Sequence, residues 1–344
     1  MYKKLHAMAF TKNVDLQSIL LIFLIYCITT LSTLIGATLA NSPFIFWFQD
    51  IPYLLLGILL FILFLGLFWD GFLISIGLIS EIWHRWKPYR KVPFVTIGSL
   101  REIRFFTCGF PSLIIVLATS FIVLGTSNIT LLSLKLLDGV TKWRDPFFWR
   151  IEGPIFCWIT RFSINATPWD YLYHSGWFIE LFALFLLIVI SRGSIIIVQF
   201  CISFILLFYI GRFIGLLNPV MGPAFFCPDL FGYLDGTITK TAMDNVASII
   251  SNGVDQAVSK GGILLGGISA MPSLHVAMVA LTSYWLAVTQ RWTLVLTVPW
   301  VLLVWASTVL LGWHYILDGL GGIILSTVCI WLNKQLFRLP KLFI

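Results

Sequence analysis

The chain has 344 residues, of which 59% are hydrophobic and 11% charged, and its mean hydropathy is +0.96. That composition excludes a soluble domain and a disordered chain, and describes an integral membrane protein. The net charge of +7 does not argue for nucleic-acid binding, because the basic residues fall in short runs between apolar segments, where membrane topology puts them.

Runs of about 20 apolar residues cross a hydrocarbon core of about 30 Å, and in lipid they satisfy their backbone only as helices. Eight are predicted, over 16–38, 52–81, 105–125, 174–191, 194–216, 271–289, 293–312 and 315–333. The first is long enough to span and lacks a small-residue cleavage site near its end, so it reads as a retained anchor. The second is longer than a span requires and holds Asp70 deep within it, which predicts a tilted helix or a break between shorter ones. The expected fold is all-α, a polytopic membrane bundle of about eight helices forming one domain over 1–344. Within it, 1–125 holds N-terminal helices, 126–173 an outer interfacial loop, and 174–335 the helices with the chemistry.

Basic residues set the orientation. Lys3, Lys4 and Lys12 precede the first span, and Arg85, Lys87, Arg90, Lys91, Arg101 and Arg104 follow the second. Arg192 and Arg291 mark short turns, and Lys334, Arg338 and Lys341 follow the last span. All predict cytoplasmic termini, with 126–173 and 217–270 facing the periplasm, a lumen or the cell exterior.

The first of those loops is dense in aromatics, Trp143, Phe147, Phe148, Trp149, Trp158 and Trp169 among them, which predicts one or two short interfacial helices. Anchoring alone is the simplest role for them. Asn128 and Asn165 head Asn-x-Thr sequons there. Cys27, Cys108, Cys201 and Cys329 fall in predicted spans, where a thiol behaves as a small apolar side chain. Cys157 and Cys227 fall in outer loops, where an oxidising compartment would permit a disulfide. No CxxC or His/Cys cluster has zinc-ligand spacing, so no metal or other cofactor is expected. The absence of an internal repeat or nucleotide-binding glycine motif argues against an energy-coupled transporter.

Two of the five histidines sit at edges of late apolar segments, His275 in SAMPSLH and His314 in STVLLGWHYILD. Asp318, four residues after His314, shares its helix face, where a carboxylate can bond one ring nitrogen and leave the other free. An isolated histidine at such an edge is ordinarily satisfied by a neighbour. Three ionisable groups converging at one membrane face read instead as a catalytic site.

These motifs resemble those of the type 2 phosphatidic acid phosphatase superfamily of membrane phosphatases and phosphotransferases. Its PSGH piece corresponds to Pro272-Ser273-Leu274-His275, and its SRxxxxxHxxxD piece to Ser307-Thr308 with His314 and Asp318. Leu274 replaces the motif glycine, Thr308 replaces the motif arginine, and the KxxxxxxRP piece is absent as written. The PSLH form with Ser-Thr is similar to the inositol phosphorylceramide synthase branch, which moves phosphoinositol between lipids.

The resemblance implies a six-helix phosphatase-like core and a phosphohistidine route needing no metal. His314 would attack phosphorus, Asp318 would fix its tautomer, and His275 would protonate the leaving oxygen and then activate water or an acceptor hydroxyl. Ser273, Ser307 and N–H groups of a helix starting near Met271 would cradle the phosphate, with Thr308 and Tyr315 beside them. For the missing cation the sequence offers Arg212, or else Lys240 and Lys260; an arginine snorkelling to headgroups would look the same. Asn218, Pro219, Gly222 and Pro223 suggest a shaped approach to the site, and Glu180, with His174 and Trp177 before it, a contact to an acceptor headgroup.

The expected function is therefore a lipid phosphotransferase acting on a phosphate-bearing lipid, with a lipid acceptor as second partner. A lipid phosphatase shares the first half-reaction. A glycosyl-phosphate lipid enzyme would differ in donor, and a lipid-binding or transport protein with a decayed site is the reading from another class. Oligomeric state is not written in these motifs.

Overall fold

The computed structural model describes residues 16–86, 105–137, 143–162, 164–191, 195–259 and 268–338. Lys3, Lys4, Lys12, Lys87, Arg90, Lys91, Arg101, Arg104, Arg192, Lys260 and Lys341 lie outside the described residues. The fold is an all-α membrane bundle, with seven helical segments long and apolar enough to span and an eighth, shorter apolar helix among the described residues.

Helix α1 (Leu16–Leu39) and helix α2 (Ile51–Trp86) turn many large apolar side chains outward, Phe23, Leu31, Phe64 and Phe68 included, as lipid-facing helices do. Helix α2 is continuous over 36 residues, about 54 Å at 1.5 Å per residue, so it outruns the hydrocarbon core. Asp70 does not mark a break. Its carboxylate accepts the N–H groups of Phe105 (2.6 Å) and Phe106 (3.3 Å), capping the short helix α3 (Phe105–Cys108).

The third span runs further than the sequence suggested. Helix α4 (Phe110–Leu124) passes through Gly125 into helix α5 (Ser127–Leu136), a stretch expected to be outer loop. The polar run Thr126-Ser127-Asn128 imitates a loop, but all three residues are buried, and Thr126 and Asn128 find partners inside. Thr126 Oγ1 donates to Val123, while Asn128 accepts from Ile45 N–H (2.7 Å) and donates to Ile45 carbonyl (2.9 Å). Asn128 is buried, so the first sequon is inaccessible, whereas Asn165 is exposed and accepts the Thr167 N–H.

Helix α6 (Asp145–Ile159) carries the aromatic segment. Phe147, Ile151 and Trp158 point outward, and Phe148 and Phe156 pack inward against Tyr315. Helices α7 (Ala166–Ser191) and α8 (Ile195–Leu217) then cross the bundle, and α8 supplies much of the main core through Ile196, Ile197, Ile202 and Leu207. A short helix α9 (Pro223–Phe226), a 3-10 turn (Pro228–Leu234) and the amphipathic helix α10 (Ile238–Ser259) lead to helix α11 (Leu274–Thr289). Helices α12 (Leu294–Leu310) and α13 (Ile316–Leu336) close the described chain.

Helix α11 starts at Leu274, three residues after Met271, and its 16 residues reach only about 24 Å, short of the hydrocarbon thickness. It can be that short because α7, α8, α12 and α13 surround it. Gly322 of α13 lets that helix touch α11 directly: a Cβ there would lie 2.5 Å from the Ser273 carbonyl and 3.1 Å from Ala277 N. The recess at the α11 N-terminus is where the histidines meet.

Candidate active site

His275 is the second residue of α11, and Ser273 is its N-cap, its Oγ accepting the Val276 N–H. The two preceding amides, of Leu274 and His275, belong to the helix turn that has no intrahelical acceptor, and they sit at the positive end of the dipole. Tyr173 of α7 stacks on the His275 ring with centroids 4.4 Å apart, and its hydroxyl pairs with Nδ1 at 3.3 Å. Trp177, one turn on, meets the same ring edge-on. His275 Nε2 is thereby the nitrogen left for chemistry.

His314 lies in the turn between α12 and α13. Gly312, with φ of +70°, ends α12 in the left-handed region, and the amides of Trp313 and His314 both donate to the Thr308 carbonyl (3.1 and 3.2 Å). His314 Nδ1 donates to the Ala270 carbonyl at 2.8 Å, which fixes the proton there and leaves Nε2 with a lone pair. Asp318 stands 3.6 Å from the same Nδ1, beyond a hydrogen bond. The backbone of Ala270 therefore sets the tautomer that the i,i+4 spacing had assigned to Asp318. The carboxylate instead accepts the Tyr315 N–H at 2.8 Å, and the Asp318 carbonyl accepts the Ser273 N–H at 2.9 Å, joining the two motifs.

The rings of His275 and His314 are 6.4 Å apart between centroids and line one cavity of about 370 Å³. That is the size of a small-molecule or headgroup site. Phe208, Phe225, Val246 and Met278 make its walls mostly apolar. His174 and Trp177 reach this cavity, whereas Glu180 is not among its lining residues.

Three buried carboxylates hold the frame, and none was anticipated. Asp145 accepts the N–H groups of Met221 and Gly222 (both 2.9 Å) and the Tyr315 hydroxyl (3.3 Å), fixing the loop whose Met221 lines the cavity. Gly222 has φ of +113° and lies against the Trp313 carbonyl, so only glycine fits. Glu152 accepts from Ile316 (2.6 Å) and Leu317 (2.9 Å), capping the helix that carries Asp318. Asp170 does the same for Ile238 and Thr239 at the start of α10. Burial raises the carboxyls of Asp145 and Glu152 above the usual carboxylate range, against the pull of the backbone amides. The legible signal was there: Asp-Pro opening an aromatic run reads as a helix start.

Other expected phosphate contacts point elsewhere. The Ser307 and Thr308 hydroxyls donate to Val304 and Trp305 of their own helix (both 2.7 Å), and Tyr315 Oη goes to Asp145. Arg212 is buried and donates to Thr130 Oγ1 at 3.2 Å; it does not line the cavity, although its charge acts on His275. Lys240 pairs with Asp244 at 2.5 Å on an exposed face of α10. Cys157 and Cys227 are free thiols, as are Cys27, Cys201 and Cys329, and burial pushes the Cys227 thiol up. Among the described residues, no group of three or more His, Cys, Asp or Glu is placed to hold a metal ion.

The fold and this site define a polytopic membrane protein with paired histidines over an anion-attracting helix end. A family model of the PAP2 superfamily matches residues 143–332, more than half of the chain, and the protein belongs to that superfamily. Membership supports a phosphatase-type enzyme acting on a phosphate-bearing lipid. Comparison with curated proteins and with solved structures gives no match.

Proposed function

We propose that the protein is a lipid phosphotransferase working through a phosphohistidine, with cytoplasmic termini and the cavity on the extracytoplasmic side. The observation that carries this reading is the pair of rings 6.4 Å apart across one cavity, with His314 Nδ1 bound to Ala270 so that Nε2 is free. Both rings border the same cavity of about 370 Å³, which has room for a phosphoryl group.

In the first half-reaction His314 Nε2 attacks phosphorus. The bond to the leaving oxygen breaks, and protonated His275 delivers its Nε2 proton to that oxygen. The phosphorylated ring is cationic, and the Asp318 carboxylate 3.6 Å from Nδ1 stabilises it. The amides at the start of α11 supply the positive end of a helix dipole for the developing negative charge, and the buried Arg212 adds positive potential without lining the cavity. In the second half-reaction an acceptor oxygen attacks phosphorus, its proton passes to His275, and the P–N electron pair returns to His314.

The choice of transfer over hydrolysis rests on the mostly apolar walls, which disfavour water as the acceptor, and on the PSLH and Ser-Thr motif forms, which resemble those of the inositol phosphorylceramide synthase branch. Incubating purified protein with a lipid labelled at phosphorus tests it. Label in a second lipid upholds the transferase; free phosphate as the sole product makes it a lipid phosphatase.

A further inference from the structure

A third histidine lines the same cavity. His174 of α7 follows Tyr173 directly, its ring 5.0 Å from the tyrosine ring that stacks on His275, and its side chain is 28% exposed. Its Nε2 is 3.4 Å from Asp170 Oδ1 and 3.2 Å from Thr239 Oγ1. Asp170 is buried and already anchored by two backbone amides, so it cannot swing away. A fixed carboxylate on that side favours the proton at Nε2, and Nδ1 is then a hydrogen-bond acceptor.

An acceptor nitrogen repels phosphate oxygens and attracts an O–H. The other cavity histidines are committed to phosphorus, and the remaining walls are mostly apolar, so His174 is a polar group the transfer mechanism leaves unused. We propose that His174 Nδ1 accepts a hydrogen bond from an alcohol hydroxyl of the substrate, borne either by the acceptor or by a polyol headgroup of the donor. The inference rests on the transferase reading above. For an acceptor, the bond is made by a second hydroxyl of a polyol and aims the neighbouring hydroxyl oxygen at phosphorus; oxygen–phosphorus bonding, loss of that neighbouring hydroxyl's own proton to His275 and return of the P–N pair to His314 then proceed as before. His174 acts as a specificity residue, selecting a polyol over water, which has no second hydroxyl to offer.

The test uses the full chain in detergent with phosphatidic acid, whose phosphate bears no headgroup hydroxyl, in the presence of glycerol. The readout is the ratio of glycerol phosphate to inorganic phosphate. His174→Ala is expected to lower that ratio about three- to tenfold, the size of one hydrogen bond, while diacylglycerol release continues. Thr239→Val, which loosens the same contact to α10 but keeps the imidazole, is expected to leave the ratio within about twofold. A second arm compares KM for phosphatidylglycerol and phosphatidic acid without added alcohol. A rise in His174→Ala confined to phosphatidylglycerol assigns the hydroxyl to the donor headgroup. An unchanged ratio together with unchanged relative KM, or a parallel loss of all turnover in both variants, overturns the inference. Wild-type protein that forms inorganic phosphate alone overturns the transferase reading itself, and this inference with it.

Discussion

The Ala270 carbonyl holds His314 Nδ1 at 2.8 Å, while Asp318 stands off at 3.6 Å. Orientation and charge stabilisation of the proposed nucleophile are therefore divided between a backbone group and a side chain. Removing the ring should be far worse than removing the carboxylate. His314→Ala is expected to lose turnover by about 10⁴-fold and to form no acid-labile phosphoprotein from labelled lipid, whereas Asp318→Asn should lose about 10²-fold and still label. Equal losses would assign the tautomer to Asp318 after all.

Tyr173 supports His275 in two separable ways, through its ring face and through its hydroxyl. Tyr173→Phe keeps the stack and should lower kcat less than tenfold, as loss of one hydrogen bond does. Tyr173→Ala frees the imidazole to move and should cost about 10²-fold in kcat. Steady-state kinetics on both variants distinguish the contributions.

Glu152 connects pH to stability. Burial raises its carboxyl above the ordinary value, so folding favours the protonated form. The contribution of this group is then fully present below the ordinary carboxylate value and is lost as pH rises through the raised one. Glu152→Gln does not titrate. Between pH 4 and 7 the melting temperature of the wild type should therefore fall relative to that of Glu152→Gln by about 1–3 °C, read by thermal unfolding in detergent.

Asp70 is a structural carboxylate far in sequence from the histidines, capping α3 from the middle of α2. Asp70→Ala leaves two amides without their acceptor and should destabilise the protein by about 1–3 kcal/mol. Activity per folded molecule should not change. A fall in kcat at equal folded fraction would link this end of the bundle to the cavity.

The legibility of this chain in its sequence was uneven for physical reasons. Long apolar runs allow only helices in lipid, so the bundle was readable, and the spacing of His275, His314 and Asp318 brought them together because each stands at or just before a helix start. Partners far apart in sequence were not readable. Asp145, Glu152 and Asp170 form no local motif, since the amides they cap come from residues 221–222, 316–317 and 238–239. Thr126 and Asn128 misled in the opposite direction, because buried polar groups with internal partners look like surface residues until the partners are seen. Ala270 could not have been foreseen, as the group it contributes is one every residue carries.

Gly322 carries one more implication. Backbone contact between α11 and α13 at this residue makes the spacing of the His275 and His314 rings a dimension of the scaffold, set by helix packing and not by the residues that face the cavity. Phosphorus has one size, and the ruler that measures it is built from a missing side chain. Helix α8 adds to the same gauge, since a Cβ at its Gly211 would lie 2.6 Å from Leu274 and one at its Gly215 3.0 Å from Ser269, so the start of α11 is fixed from two sides.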